Sequence, residues 1–196
     1  GNFRHSEDGS VLQKYDIKKP YLFYPGSLTP RKNLNRIIEA FISIQDKIPH
    51  NLYISGLKNM SDIKLGSGES IKKNIKNKFA GRVKIIGYID ESDLPAVYSQ
   101  ADVCLYPSLY EGFGLPIVEA QACGCPVLTS TTSSCGEVAG DGAYLVDPVL
   151  VEEISAGILS ILQNSELRQR LIDAGYKNAG NYTWSKTAEG ILKVCE

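Results

Sequence analysis

Val103-Cys104-Leu105-Tyr106-Pro107-Ser108-Leu109-Tyr110-Glu111-Gly112-Phe113-Gly114-Leu115-Pro116-Ile117-Val118-Glu119 sets an apolar run, a glycine-bearing loop and a helix start in direct succession. The run Val103–Tyr106 is continuous rather than alternating in polarity, as expected for a strand buried on both faces of a parallel sheet. Gly112 and Gly114 carry no Cβ, so the main chain there can approach a ligand closely. Pro116 suits a first helical position, where a missing N–H costs nothing. The free N–H groups and the positive dipole end of such a helix favour an anion such as a diphosphate. Glu119 follows Pro116 by three positions, near enough to the helix start to accept hydrogen bonds from hydroxyls. Anion-binding backbone between two carboxylates, Glu111 and Glu119, suits a sugar nucleotide.

The same strand–loop–helix rhythm extends in both directions. Further apolar runs are Tyr21–Tyr24, Asn51–Ser55, Val83–Gly87, Pro126–Thr129 and Ala143–Val146. Between them lie helix-period stripes: Leu34, Ile37, Ile38, Phe41 and Ile42; Ile71, Ile75 and Phe79; Leu94, Val97 and Tyr98. Past Asp147-Pro148 the strand signal stops. Three helical patterns follow, around Ile154 and Ile158, Leu167 and Leu171, and Trp184 and Ile191. This pattern predicts one α/β domain, a doubly wound parallel six-stranded Rossmann-like sheet with extra C-terminal helices. Residues 1–19 are expected to approach the sheet, 20–148 to form its core and 149–196 the helices.

In the common strand order 3-2-1-4-5-6, strands 1 and 4 are neighbours, and ligands bind beside that switch point at the carboxyl ends. Pro25-Gly26-Ser27-Leu28-Thr29-Pro30-Arg31-Lys32-Asn33 follows the first strand, and Pro107–Gly114 follows the fourth. With that order assumed, the two loops face each other across one crevice. Arg31 and Lys32 lie near a helix start, where cations gain nothing from the dipole. Opposite an anion-binding loop they become phosphate ligands, Lys as a point charge and Arg bidentately.

Composition narrows the classes. The 196 residues carry a net charge of −1, which argues against a nucleic-acid-binding module. No apolar run approaches the ~20 residues of a membrane span. No signal peptide opens the chain, and Gly1 suggests an excised segment. Cys104, Cys123, Cys125, Cys135 and Cys195 form no CxxC pair and read as buried thiols in a reducing compartment. Asn59-Met60-Ser61 and Asn181-Tyr182-Thr183 match the glycosylation pattern, which has no consequence without secretion. Leu65–Ser70 is glycine-rich but lacks the Lys-Ser/Thr ending of a Walker loop, so it reads as a loop capping the next helix. His5 and His50 lack metal-ligand company and read as surface residues, and Trp184 as the anchor of the last helix. No metal site is expected.

Glu111-Gly-Phe-Gly-Leu-Pro-Ile-Val-Glu119 resembles the E-x7-E signature of retaining glycosyltransferases of family 4, which have the GT-B fold. Gly26–Asn33 looks like the family's phosphate loop, and Gly87–Leu94 with Tyr98, Ala101 and Asp102 like its base-side segment. Gly124–Val127, Glu137–Asp141, Val146–Pro148 and Tyr182–Trp184 fit its later pattern, so the likeness covers nearly the whole chain. The resemblance implies the C-terminal half of a GT-B fold: a donor-binding domain whose N-terminal, acceptor-binding partner is absent and which is inactive alone. It implies that Lys32 contacts the diphosphate, Glu119 the ribose hydroxyls and Glu111 the donor sugar. The backbone of Gly112, Phe113, Gly114 and Leu115 would meet sugar and phosphate; Gly26, Ser27, Tyr88 and Leu94 complete the donor site. Many members have Arg after the first glycine of the phosphate loop. Here it is Ser27, and Arg31 is expected to supply that charge.

Lys32, Arg31 and Glu111 are thus the expected catalytic residues of a metal-independent hexosyltransferase. Its donor is a GDP- or UDP-linked sugar, with the Pro-Arg-Lys-Asn loop leaning towards GDP-mannose. The acceptor is a glycan or lipid in glycan or polysaccharide biosynthesis. The expected location is cytoplasmic, with peripheral association of the full-length enzyme at the cytoplasmic face of a membrane allowed. Two other classes fit less well. A non-catalytic nucleotide-binding regulatory module would need Lys32 and Glu119 but not Glu111. A sugar-nucleotide epimerase is disfavoured by the E-x7-E signature.

Overall fold

The computed structural model describes residues 3–27, 29–56 and 81–195. Its strands are β1 (Tyr21–Tyr24), β2 (Asn51–Ser55), β3 (Val83–Gly87), β4 (Val103–Tyr106), β5 (Val127–Ser130) and β6 (Ala143–Val146). They form one six-stranded sheet in the order β3-β2-β1-β4-β5-β6, with every pairing parallel. The order assumed from sequence is therefore present, and β1 and β4 lie side by side. One strand slides by a residue at both ends: β5 runs Val127–Ser130 rather than Pro126–Thr129. Proline has no N–H for the ladder, and Pro126 only accepts, from the Cys104 N–H at 2.8 Å.

Alternation along each strand sends neighbours to opposite faces. Leu22 and Tyr24 join one core with α2 (Leu34–Ile44) and α6 (Val151–Gln163). Tyr21 and Phe23 join the other, with α1 (Gly9–Lys14), α3 (Leu94–Ser99), α4 (Leu115–Ala122) and α5 (Cys135–Ala139). The stripe of α2 is spaced as a helix face requires: Leu34, Ile37, Ile38, Phe41 and Ile44 are all buried. Each such side chain contributes about 1.5–3 kcal/mol by leaving water. The first residues do more than approach the sheet, since Leu12 and Ile17 sit in the second core.

Helix α7 (Ser165–Ala179) passes the amino ends of the later strands. Arg168 Nη2 lies 3.2 Å from Asp102 Oδ1, just before β4. Asn178 Nδ2 donates to the Gln121 side chain and to the Val138 carbonyl, both at 2.8 Å. Gly142, just before β6, would place a Cβ 2.6 Å from the Gly175 Cα, so the two glycines allow the contact. The amino end of the sheet is thereby covered, while the loops after β1 and β4 stand at its carboxyl end.

Several expectations need correction. His50 is not a surface residue. It is buried, with Nε2 3.4 Å from Asp102 Oδ2, because it immediately precedes β2 and faces the start of β4. His5 is exposed, as expected. Trp184 anchors nothing: it is 79 % exposed, and α8 (Trp184–Cys195) has no buried residue. Four cysteines are buried, but Cys195 is exposed on that helix. The Ile71–Phe79 stripe, the Leu65–Ser70 loop and Asn59-Met60-Ser61 lie outside the described residues. Among the described residues no helix is long and apolar enough to cross a membrane.

Candidate functional site

The loops after β1 and β4 meet at the switch point. Pro30–Lys32 forms a short 3-10 turn, ended by Asn33 in the left-handed region at φ 60°. Asparagine tolerates that conformation better than most residues. Its side chain then donates to the Pro107 carbonyl at 3.0 Å and the Pro148 carbonyl at 2.6 Å. The Leu109 N–H donates to the Arg31 carbonyl at 2.7 Å. The first loop is thus bonded to the fourth through its backbone before any charge is considered.

The charges converge as well. Lys32 Nζ lies 2.7 Å from Glu111 Oε1, and Arg31 Nη1 lies 2.8 Å from Oε2. Lys32 and Glu111 are buried, whereas the Arg31 side chain is half exposed. Lys32 also donates to the Tyr106 hydroxyl at the end of β4, and its ammonium sits 4.5 Å from that ring centroid. Burial pushes the Glu111 carboxyl up, but Lys32, Ser108 and Arg31 outweigh it and hold the group below the usual carboxylate value. Burial, then the Glu111 charge, push the Tyr106 phenol well up, so it stays protonated. The cluster carries a net charge of +1, two cations less one carboxylate.

Beside it α4 begins. Gly114 is its N-cap at φ +104°, a conformation that requires glycine. The helix opens at Leu115, and Pro116 is its second residue rather than its first. Pro116 has no N–H and the Ile117 N–H donates to the Gly114 carbonyl at 2.9 Å, so within the first turn the Leu115 N–H is the donor this end presents. Gly112 is different: a Cβ there would meet nothing within 4 Å, and its φ is not positive. No packing in the fold therefore requires a glycine at 112. Glu119 lies one turn in and accepts from the Tyr98 hydroxyl at 3.1 Å. Burial raises its carboxyl; the Tyr98 bond opposes this, and the Glu91 charge adds to it. Tyr98 is itself locked edge-on against Phe23, with centroids 5.4 Å apart, so the carboxylate has a rigid partner.

The remaining expected donor residues are spread along this end. Gly26 sits just after β1, and a Cβ there would meet the Tyr24 hydroxyl at 3.2 Å. That hydroxyl donates to the Ser27 carbonyl at 3.0 Å, and the Ser27 side chain is exposed. Tyr88 follows β3 and is 72 % exposed, two strands away from β1. Leu94 opens α3 and packs partly buried against the second core. Leu115 is exposed, and Phe113 lies edge-on to Tyr182 with centroids 5.4 Å apart. Asp102 departs from the base-side grouping. It lies at the amino end of β4, where it accepts from the Tyr21 N–H at 3.1 Å.

Sequence reasoning missed the loop after β5. Thr132, Ser133 and Ser134 all hydrogen-bond to the loop that carries Glu111. The signal was the hydroxyl run Ser130-Thr131-Thr132-Ser133-Ser134 directly after a strand. Among the described residues no three His, Cys, Asp or Glu side chains gather as metal ligands.

Comparison with known proteins agrees with this architecture. The chain is 36% identical over 177 residues to the O-antigen chain mannosyltransferase B of Escherichia coli, covering 89% of this chain and 45% of that protein. Its fold matches the C-terminal domain of a glycosyl transferase group 1 family protein (LpcC) from Francisella tularensis. There the TM-score is 0.77 at 25% identity, over 91% of this chain and 94% of that one. It also matches sucrose-phosphate synthase from Thermosynechococcus elongatus, with a TM-score of 0.78 at 25% identity, over 98% of this chain but 49% of that one. The chain thus spans about half the length of the mannosyltransferase and of the synthase. The sequence pattern of glycosyl transferases group 1 matches residues 11–178, and the chain belongs to that family.

Proposed function

We propose that the chain is the donor-binding domain of a retaining glycosyltransferase. It holds a nucleoside-diphosphate hexose at the carboxyl end of β1 and β4, for transfer to a glycan or lipid bound by a domain outside this chain. The observation that carries the reading is the convergence of Lys32 and Arg31 on Glu111 at the switch point, beside the open start of α4. The similarity to a mannosyltransferase supports mannose as the sugar, and GDP is the base-bearing half we favour.

In this reading the bond between the anomeric carbon and the diphosphate breaks, and negative charge grows on the leaving group. Lys32, Arg31 and the Leu115 N–H at the start of α4 stabilise that charge. Such preorganised donors are typically worth about 3–4 kcal/mol each. Two cations on one carboxylate leave positive charge for the diphosphate, so the reaction needs no metal. Glu119, held by Tyr98, receives the ribose hydroxyls. Glu111 faces the sugar and orients it while the departing phosphate takes the acceptor proton.

The test is calorimetric titration of the chain with GDP, UDP, ADP and NAD, with and without Mg²⁺. Binding of one nucleoside diphosphate without Mg²⁺, weakened by Lys32→Ala and by Glu119→Ala, is expected. Binding of NAD alone would overturn the reading.

A further inference from the structure

The loop that carries Glu111 has little internal structure to hold it, with Gly112 and Gly114 directly after the carboxylate. The loop after β1 holds its first residues and the Glu111 carboxylate, but the backbone of Glu111 is held by the loop after β5. Ser133 Oγ accepts the Glu111 N–H at 2.9 Å. Ser134 Oγ donates to the carbonyls of Glu111 and Phe113, both at 2.9 Å. Thr132 Oγ1 donates to the carbonyls of Ser108 and Leu109 at 3.3 and 3.2 Å. Both polar backbone atoms of Glu111 are therefore held by consecutive serines of another loop.

One of these serines is conformationally unfavourable. Ser133 adopts φ 51°, in the left-handed region, as a non-glycine residue. Its side chain is exposed, so core packing does not account for the serine. Glycine would adopt this backbone without the Cβ penalty but would bring no hydroxyl to Glu111. Strained residues of this kind persist where the surroundings need them, often at ligand sites.

We infer that Ser133 and Ser134 are positioning residues for the donor sugar, fixing the height and direction of Glu111 in the crevice. The inference rests on the proposed role of Glu111 towards that sugar. The serines touch neither diphosphate nor base in this account; they act through Glu111. Loss of the Ser133 hydroxyl leaves the nucleotide site intact and loosens only the sugar side. Where glycine is the replacement the fold gains as well, because removing the Cβ relieves the left-handed strain.

The test compares GDP with GDP-mannose by calorimetry, together with the thermal midpoint, on the chain and on Ser133→Gly, Ser133→Ala, Ser134→Ala and Glu111→Gln. For Ser133→Gly we expect an unchanged GDP affinity, a tenfold loss of the extra affinity conferred by mannose, and a thermal midpoint equal to or above the parent's. Ser133→Ala, which keeps the Cβ and its strain, should lose the same mannose-dependent affinity without the thermal gain. Ser134→Ala should lose that affinity too. A merely structural serine would instead lower the midpoint and leave the GDP-mannose to GDP ratio alone; that outcome overturns the inference. If Glu111→Gln itself keeps the mannose-dependent affinity, the reading of Glu111 fails and the inference falls with it. If Glu111→Gln loses that affinity while both Ser133 variants retain it, the inference alone is wrong.

Discussion

Replacing Glu111 by Gln should tighten the grip of the two loops on a bare nucleoside diphosphate. Glu111 opposes Lys32 at 2.7 Å and Arg31 at 2.8 Å, and removing its charge takes the cluster from +1 to +2 with little change of shape. A phosphate on the far side of the cations would lie roughly 8 Å from the lost charge, a repulsion of about 2 kcal/mol at an effective dielectric of about 20. Screening over a Debye length of about 8 Å at physiological salt cuts this to about 0.8 kcal/mol. Two phosphate charges then gain about 1.5 kcal/mol, roughly tenfold in Kd.

The fold should survive the change. The Gln side-chain oxygen can still accept from Lys32, and the pair with half-exposed Arg31 is worth at most about 1 kcal/mol. A stability loss of about 1–2 kcal/mol is expected, seen as a modest drop in thermal midpoint. The assay is calorimetric titration of GDP into both proteins at about 0.05 and 0.5 M salt, the tightening being larger at low salt. Equal or weaker GDP binding by a folded Gln variant at low salt would refute the argument, because the cations would then not face the diphosphate.

Lys32→Ala should lower turnover of the full-length enzyme by roughly two to three orders of magnitude, and a near-normal rate would remove Lys32 from the mechanism. Gly112→Ala should leave stability within about 0.5 kcal/mol, since its Cβ meets nothing within 4 Å, yet weaken GDP-mannose binding in calorimetry. Gly114→Ala should instead cost about 1–3 kcal/mol in denaturant unfolding, because φ is +104° and the new Cβ would lie 3.0 Å from Ile117 Cδ1. Glu119 has a raised carboxyl, so the folded state favours its protonated form; that stabilisation is full below the ordinary value of about 4.3 and lost as pH rises through the raised one. Glu119→Gln should therefore raise the thermal midpoint at neutral pH but not in acid, while GDP binding by the parent chain falls off as acidification protonates Glu119.

The fold was legible because its strands are buried on both faces. Continuous runs such as Val103–Tyr106 leave little else for those segments to be, and the residue pattern located five of six strands to the residue. The strand order came from a rule about such sheets and matched. That Arg31, Lys32 and Glu111 share one end was legible from which strands their loops follow. That they pair was not, because pairing depends on how far each loop rises above the sheet, and local sequence does not encode it. His50 was misread because a lone histidine carries no periodic signal; only the parallel register brings it beside Asp102. Thr132, Ser133 and Ser134 were not legible because a hydroxyl that bonds a distant backbone looks the same in sequence as one that bonds water. Trp184 was read as the anchor of a helix whose apolar stripe it opens, and a stripe does not supply a surface to pack on.

The two ends of the sheet handle charge in opposite ways. At the amino end Asp102 accepts from the Tyr21 N–H and pairs with Arg168 and His50, and α7 lies across the cluster. Burial raises the Asp102 carboxyl, but His50, the Tyr21 N–H and Arg168 outweigh it, so the ionised form is favoured and the interaction stabilises the fold above acid pH. At the carboxyl end Glu111 is also held ionised by Lys32 and Arg31, but one positive charge is left over, Glu119 is held where burial disfavours its charge, and Ser133 sits in a left-handed backbone. A sequence under pressure for stability alone would replace these, with Gly at 133 and Gln at 119 as the simplest changes. Their common position, on loops and helix starts around one switch point, ties the costs to a single ligand. A diphosphate would complete the charge balance of Lys32 and Arg31, ribose hydroxyls would use the Glu119 carboxylate, and a sugar would meet a carboxylate fixed by Ser133 and Ser134. In the proposed function the donor is the shared compensation for these unfavourable terms, and saturating nucleoside diphosphate should then raise the thermal midpoint of this chain; an unchanged midpoint would count against that reading.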